Sequence, residues 1–301
     1  MALDSAIEVL DPRFYGLVIH NAHVEHLWSG TRWAEGPVYV PSSRYVVFSD
    51  IPNDRTLRYD ERTGLVDIFE QPALNANGHC LDLQGRIITA EHRGRAITRI
   101  NHDGIRHILV DRYEDKRLNS PNDVVVKSDG WIYFTDPPYG LMNRTQGKEL
   151  DFNGVFRVSS NGTGLELLIK DMTGPNGIAF SPDEKKLYVA DSMEKFINVY
   201  EIDGDGHPVN GKQFADLDTG EEGVPDGMKI DTEGRVYSTG PGGIWVFSTE
   251  AELLGKILMP EIPANCGWGE DGHTLFITAR TGLYKIGLNS KGNTSLPIHT
   301  N

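Results

Sequence analysis

Cysteine is scarce in this sequence, and so is basic charge. Only Cys80 and Cys266 occur among the 301 residues, too few for a disulfide framework or a zinc site made of cysteines. The 29 basic residues are outnumbered by 43 acidic ones, which gives a net charge of −14. Because nucleic acid and anionic membranes are bound by clustered Lys and Arg, this balance argues against both as partners.

Long apolar runs are missing as well. No stretch approaches the roughly 20 apolar residues of a membrane helix, and the N-terminus carries acidic residues where a signal peptide would begin with basic ones. We therefore expect a cytoplasmic protein, as a monomer or a small homo-oligomer. Apolar residues make up 39% of the chain, which is enough for a folded core and excludes global disorder.

An internal repeat takes the place of helical periodicity. A polar residue, usually followed by Gly, leads into a short apolar strand, a turn and a second apolar strand, and this unit recurs at intervals of roughly 40–50 residues. The leading residues are Glu35, Asn77, Asn122, Asn176, Asp226 and Asn265. Further strands follow in each unit, and four strands per unit is typical of a propeller blade. The sequence predicts an all-β, six-bladed β-propeller with four antiparallel strands per blade.

We expect one domain over residues 1–301, with 1–14 as an N-terminal arm and 288–301 as a tail. The sixth unit lacks a fourth strand, whereas residues 15–28 precede the first unit and belong to none. This segment is predicted to supply the outer strand of the last blade and so close the ring. The only hint of helix is one turn at 251–254, and the longest insertion is 137–153, within the third unit.

The six leading residues are predicted to meet at one mouth of the central channel, because the first strand of a blade lines that channel. All six side chains carry oxygen and none is basic. Two facing carboxylates, Glu35 and Asp226, would repel each other unless a cation lay between them. Oxygen ligands favour a hard ion such as Ca²⁺. Taken singly, Asn or Asp before Gly is also common in turns, so the metal hypothesis depends on all six converging.

Several motifs resemble the gluconolactonase branch of the SMP-30/gluconolactonase/LRE-like family. They include Trp33-Ala-Glu-Gly-Pro, Asn119-Ser-Pro-Asn-Asp-Val, Gly174-Pro-Asn-Gly-Ile and Pro225-Asp-Gly, and the resemblance runs from about residue 30 to 287. It implies a six-bladed propeller with one catalytic divalent metal. The oxygen ligands favour Ca²⁺ for this metal, and Zn²⁺, Mn²⁺ or Mg²⁺ could substitute in assays.

The resemblance also assigns roles to individual residues. It makes Glu35, Asn176 and Asp226 metal ligands, and Asn122 a ligand or a substrate contact. Vertebrate members place an Arg two residues before that Asn, where this chain has Ser120. Their sugar-contacting residues are therefore not transferred to this chain.

The chemistry implied is hydrolysis of a sugar lactone. A metal can polarise the lactone carbonyl and activate water, with Asp226 as general base or as an orienting ligand. An organophosphate hydrolase using a similar oxygen cage and a non-catalytic, calcium-binding propeller scaffold are the alternatives.

Four residues are predicted to contact substrate at the metal-bearing mouth: Asn122, His92, Glu91 and Arg280. His92 and Glu91 end the second strand of their unit, and Arg280 follows the equivalent strand of the sixth. Asp136 and Asp191 occupy the same position in the third and fourth units, and we expect them to bond backbone groups or ligands instead of substrate.

Overall fold

The computed structural model describes residues 5–293 and is built almost entirely from antiparallel sheets. Six of these sheets are blades, and their first strands contact one another in a closed cycle around a central axis. The strands of blades 1 to 3, from the axis outward, are Ala34–Val40, Tyr45–Asp50, Arg55–Asp60 and Leu65–Glu70; Ala76–Leu81, Ile87–Glu91, Ala96–Ile100 and Arg106–Val110; and Val124–Val126, Ile132–Asp136, Gly154–Val158 and Glu166–Ile169.

Blades 4 to 6 continue the ring. Their strands, in the same order, are Pro175–Phe180, Lys186–Asp191, Phe196–Ile202 and Pro208–Asp216; Met228–Ile230, Val236–Gly240, Gly243–Phe247 and Leu253–Leu258; and Pro263–Gly269, Thr274–Ala279, Gly282–Gly287 and Glu25–Ser29. The predicted six-bladed, four-stranded propeller is confirmed.

The last blade is closed by the N-terminal segment, as the sequence predicts. Glu25–Ser29 pairs antiparallel with Gly282–Gly287, placing Glu25 opposite Lys285 and His26 opposite Tyr284. Because the outer strand comes from the N-terminus and the other three from the C-terminal part of the chain, the two ends of the ring are joined by backbone hydrogen bonds.

Three local features differ from the sequence expectation or go beyond it. Ile7–Val9, within the predicted arm, adds a fifth strand to the edge of blade 5. The predicted helical turn at 251–254 is wrong, because Leu253–Leu258 is the fourth strand of that blade. A two-stranded ribbon, Arg112–Tyr113 with Lys116–Arg117, follows blade 2. Residues 1–4 of the arm and 294–301 of the tail lie outside the described residues.

Apolar side chains fill the space between neighbouring blades. Six buried clusters occur, one at each of the six interfaces between blades. The second strand of a blade is covered on both faces, so it reads as a continuous buried run without alternation, as in Ile87–Glu91. Within residues 5–293 the helices are three short 3₁₀ turns, Pro12–Gly16, Ile51–Asn53 and Met142–Arg144, none with the length and apolarity to cross a membrane.

Candidate active site on the propeller axis

A cavity of about 590 Å³ opens at one mouth of the central channel. Its volume lies in the range of small-molecule sites in proteins. Five of the six leading side chains border it. The described residues that line it are Trp33, Glu35, Ile51, Asn77, His92, Asn122, Tyr139, Arg144, Asn176, Ser192, Met193, Val224 and Asp226.

The glycine after a leading residue lets the inner strands approach each other closely. Gly78 N donates to Asn122 O, and Gly177 N donates to Asp226 O, both at 2.9 Å and both between neighbouring blades. A Cβ on Gly177 would lie 2.1 Å from that Asp226 oxygen. The Asn-Gly motif at 176–177 is therefore part of an inner strand in backbone contact with the next blade, which packs the leading residues around the axis.

Acidic side chains are concentrated where the leading residues meet at the axis. Burial, together with the charges of Asp226 and Asp123, raises the pKa of Glu35 well above its ordinary value. Burial and the charge of Asp123 likewise raise the pKa of Asp226 to about 7. Both carboxylates border the cavity, and a bound cation would relieve their repulsion.

Two amide side chains at the cavity have their nitrogens taken by neighbours. Asn77 Nδ2 donates to His92 Nε2 at 3.0 Å, and Asn176 Nδ2 donates to Ser192 Oγ at 2.8 Å. Burial lowers the pKa of His92 to about 4, so its ring is neutral at pH 7 and can accept this hydrogen bond. The buried Oδ1 atoms of Asn77 and Asn176 have no hydrogen-bond partner among the described residues. An unpaired buried oxygen is costly, which points to a ligand.

These donors suit a hard divalent cation. Two carboxylates and several amide oxygens match the preference of Ca²⁺ for oxygen ligands. Within residues 5–293 no group of three or more His, Cys, Asp or Glu side chains is placed to hold a metal. A cation at this position would therefore depend on amide oxygens as well as on Glu35 and Asp226.

Hydrogen bonds from neighbouring segments hold the leading residues in place. Asp136 accepts from the backbone N–H groups of Asn119 and Ser120 at 2.7 and 2.8 Å, just before Asn122. Asp191 accepts from Gly174 N at 3.0 Å, just before Asn176. Both carboxylates thus bond backbone, as the sequence predicts. Ser120 Oγ donates to Pro137 O and accepts from Gly140 N, so it anchors the 137–153 insertion.

Three predicted residues lie away from the cavity lining. Asn265 is buried outside the lining, where its Oδ1 accepts from Cys266 N at 2.8 Å. Glu91 turns towards its own blade and accepts from Thr98 Oγ1 at 2.7 Å and Arg106 Nη1 at 2.9 Å.

Arg280 is partly exposed and reaches Glu222 at 3.5 Å. Of the four predicted substrate contacts, the structure therefore brings only Asn122 and His92 to the cavity; Glu91 and Arg280 lie outside its lining.

Other cavity residues were not predicted as site residues. Trp33 begins one of the family motifs, two residues before Glu35, and Tyr139 lies in the 137–153 insertion; these positions were the available signals. For Ser192, the only sequence signal was its position immediately after Asp191. Arg144 lies inside the 137–153 insertion. This insertion is not part of the blade repeat, so its conformation at the mouth could not be predicted from the repeat.

The fold and the cavity define a six-bladed β-propeller with a small-molecule site of carboxylate and amide oxygens on its axis. The protein family described as the SMP-30/Gluconolactonase/LRE-like region matches this chain over residues 33–281. This chain belongs to that family, and the resemblance predicted from the sequence is confirmed.

Relatives cover nearly the whole chain. A gluconolactonase of Zymomonas mobilis is 37% identical over 93% of this chain and 85% of its own length. A pentonolactonase of Haloferax volcanii is 27% identical over 83% of this chain and 82% of its own. The solved structure of a gluconolactonase from Xanthomonas campestris is 36% identical, covers 94% of each chain and superposes with a TM-score of 0.87.

Proposed function

We propose that this protein hydrolyses a sugar lactone to the corresponding sugar acid with the help of one divalent cation, Ca²⁺. The observation that carries the proposal is the pair of unpartnered amide oxygens beside two carboxylates on the propeller axis. The names of the gluconolactonase and pentonolactonase relatives support the substrate class.

Glu35, Asn122, Asn176 and Asp226 are proposed to hold the cation. When bound, such an ion polarises a lactone carbonyl and lowers the pKa of water. Asn77 borders the same cavity with a free Oδ1, so it can orient a substrate hydroxyl or water. His92 fixes that oxygen by accepting the hydrogen bond from the Asn77 amide nitrogen.

The cavity wall has an apolar part suited to a sugar ring. Trp33, Ile51, Met193 and Val224 line it alongside the polar residues. The C–H face of a sugar packs well on an aromatic ring, while its hydroxyls need hydrogen-bond partners. We place the lactone ring against Trp33 with its polar edge towards the leading residues.

Asp226 is proposed as the residue that takes the proton from the attacking water. A carboxylate held close to a cation is a weak base, so a purely orienting role is the competing assignment. Replacing Asp226→Asn and measuring cation affinity and turnover separately distinguishes the two. Asp218→Asn, an exposed acid paired with Lys195, is the matched control.

The substrate class is tested with purified protein, Ca²⁺ and a panel of neutral and acidic aldonolactones, and hydrolysis is measured as the release of acid. We expect hydrolysis well above the spontaneous rate, and a turnover loss in Asp226→Asn that persists at saturating Ca²⁺. Unchanged turnover in the cation-loaded variant would exclude the base role. Absence of lactone hydrolysis, with a phosphotriester cleaved instead, would overturn the proposed function.

A further inference from the structure

One permanently charged basic side chain, that of Arg144, borders the cavity. Among the described residues that line it, Arg144 is the only Lys or Arg, and it shares this lining with two carboxylates and three amides. No acidic side chain within residues 5–293 forms an ion pair with it. Most of the other arginines pair with Asp or Glu, whereas Arg144 is an exposed side chain that borders the cavity without an acidic partner among the described residues.

The Arg144 side chain is supported by an aromatic ring. Its guanidinium lies over the ring of Tyr139, 5.4 Å from the centroid. The ring is fixed in turn, because Tyr139 Oη donates to Gly174 O at 3.0 Å. Stacking on a fixed ring limits the motion of the guanidinium but leaves its N–H groups free to donate.

The backbone turns sharply at Arg144. Asn143 and Arg144 have φ of 51° and 59°, in the left-handed region, as do other non-glycine turn residues such as Arg44, Glu184 and Lys195. Arg144 N donates to Leu141 O at 2.9 Å, which closes the turn.

We propose that Arg144 binds an anionic group, a phosphate or a carboxylate, on the part of the lactone remote from its carbonyl. The inference rests on the proposed function and narrows its substrate class to acidic sugar lactones. Guanidinium pairs with both groups through two parallel hydrogen bonds. The anion would thus pair with Arg144, the one basic side chain among the described lining residues, while the lactone carbonyl lies at the axis beside the proposed cation.

Arg280 carries no comparable support for this role. It lies outside the cavity lining and approaches Glu222 at 3.5 Å. Arg93 lies one residue from His92 but pairs with Asp54. Both therefore serve as controls that remove one positive charge without removing the Tyr139-supported group.

The experiment compares three lactones that share one ring: a neutral aldonolactone, the same lactone with a 6-phosphate, and the one with a 6-carboxylate. Wild type, Arg144→Gln, Arg144→Lys, Arg93→Gln and Arg280→Gln are assayed at low and high salt, with thermal melting as a check on folding. We expect Arg144→Gln to lower kcat/KM for at least one anionic lactone about 10- to 100-fold, mainly through KM. The neutral lactone should change less than about threefold, as should every substrate in the two controls.

The outcomes separate the two levels of inference. Whichever anionic lactone, phosphate or carboxylate, loses more kcat/KM in Arg144→Gln carries the group that Arg144 binds. Partial recovery of kcat/KM in Arg144→Lys supports a charge interaction. Equal losses for neutral and anionic lactones, or a wild-type enzyme that prefers the neutral one, would overturn the role of Arg144 while leaving lactone hydrolysis standing. No hydrolysis of any of the three lactones would overturn the proposed function itself.

Discussion

Ser192 links two of the proposed cation ligands, so its removal tests how the site is held together. Its Oγ accepts from Asn176 Nδ2 at 2.8 Å and donates to Pro225 O at 2.6 Å, immediately before Asp226. Ser192→Ala leaves both groups without a partner. Each such loss costs about 1–3 kcal/mol when buried, and since water can enter from the cavity, we expect a total near 2 kcal/mol. For a chain of this size that corresponds to about 4 °C in Tm.

The cation should be affected more than the fold. Without Ser192 the Asn176 amide is free to rotate and present its nitrogen where its oxygen is needed. Loss of a residue that orients a ligand typically costs 10- to 100-fold in metal affinity or activity. We therefore expect both the Ca²⁺ Kd and the lactone kcat/KM to worsen by about that factor.

Ser290→Ala is the matched control. Ser290 is a buried serine that accepts from Tyr237 Oη at 2.6 Å and does not line the cavity. It should lose a similar amount of stability and keep wild-type Ca²⁺ affinity, measured by isothermal titration calorimetry beside thermal melting. If Ser192→Ala binds Ca²⁺ as tightly as Ser290→Ala does, the ordering role of Ser192 is refuted.

Two further predictions concern charge and close packing. Because burial and neighbouring carboxylates raise the pKa of Glu35, the cation-free folded protein holds protons that the unfolded chain has lost, and its stability falls as pH rises above about 4.5. At pH 8 and without cation, Glu35→Gln should thus melt at a higher temperature than wild type, but it should gain no stability from Ca²⁺. Glu194→Gln is the exposed control, and a Ca²⁺-stabilised Glu35→Gln would contradict this. Gly177→Ala should lower the free energy of unfolding by about 3 kcal/mol, because the added Cβ would lie 2.1 Å from Asp226 O. Gly204→Ala is the control, since a Cβ there meets nothing within 4 Å. Equal melting temperatures for the two variants would refute the close approach.

The ring architecture could be predicted because the repeat encodes it many times over. Six copies of the same strand pattern set the blade count, and the surplus N-terminal segment before the first copy predicts the closing strand at Glu25–Ser29. The same repeat predicts which side chains meet at the axis, so Glu35 and Asp226 could be paired from far apart in the chain.

Features outside the repeat could not be predicted in this way. Ile7–Val9 joins blade 5 through backbone hydrogen bonds, which leave little trace in a three-residue sequence. Glu91 occupies the position of Asp136 in its own blade, yet Thr98 and Arg106 of the neighbouring strands draw its carboxylate away from the mouth. Arg144 reaches the cavity only through the fold of an insertion that has no counterpart in the other blades.

The central claim is that one divalent cation, held by the axial ligands, is required for lactone hydrolysis. It is tested most directly by chelating the protein, confirming removal by metal analysis, and titrating Ca²⁺ back while both binding and hydrolysis are followed. We expect about one ion per chain, with activity returning in proportion to occupancy and no tight binding in Glu35→Gln. Full lactone turnover by the cation-free protein would contradict the claim.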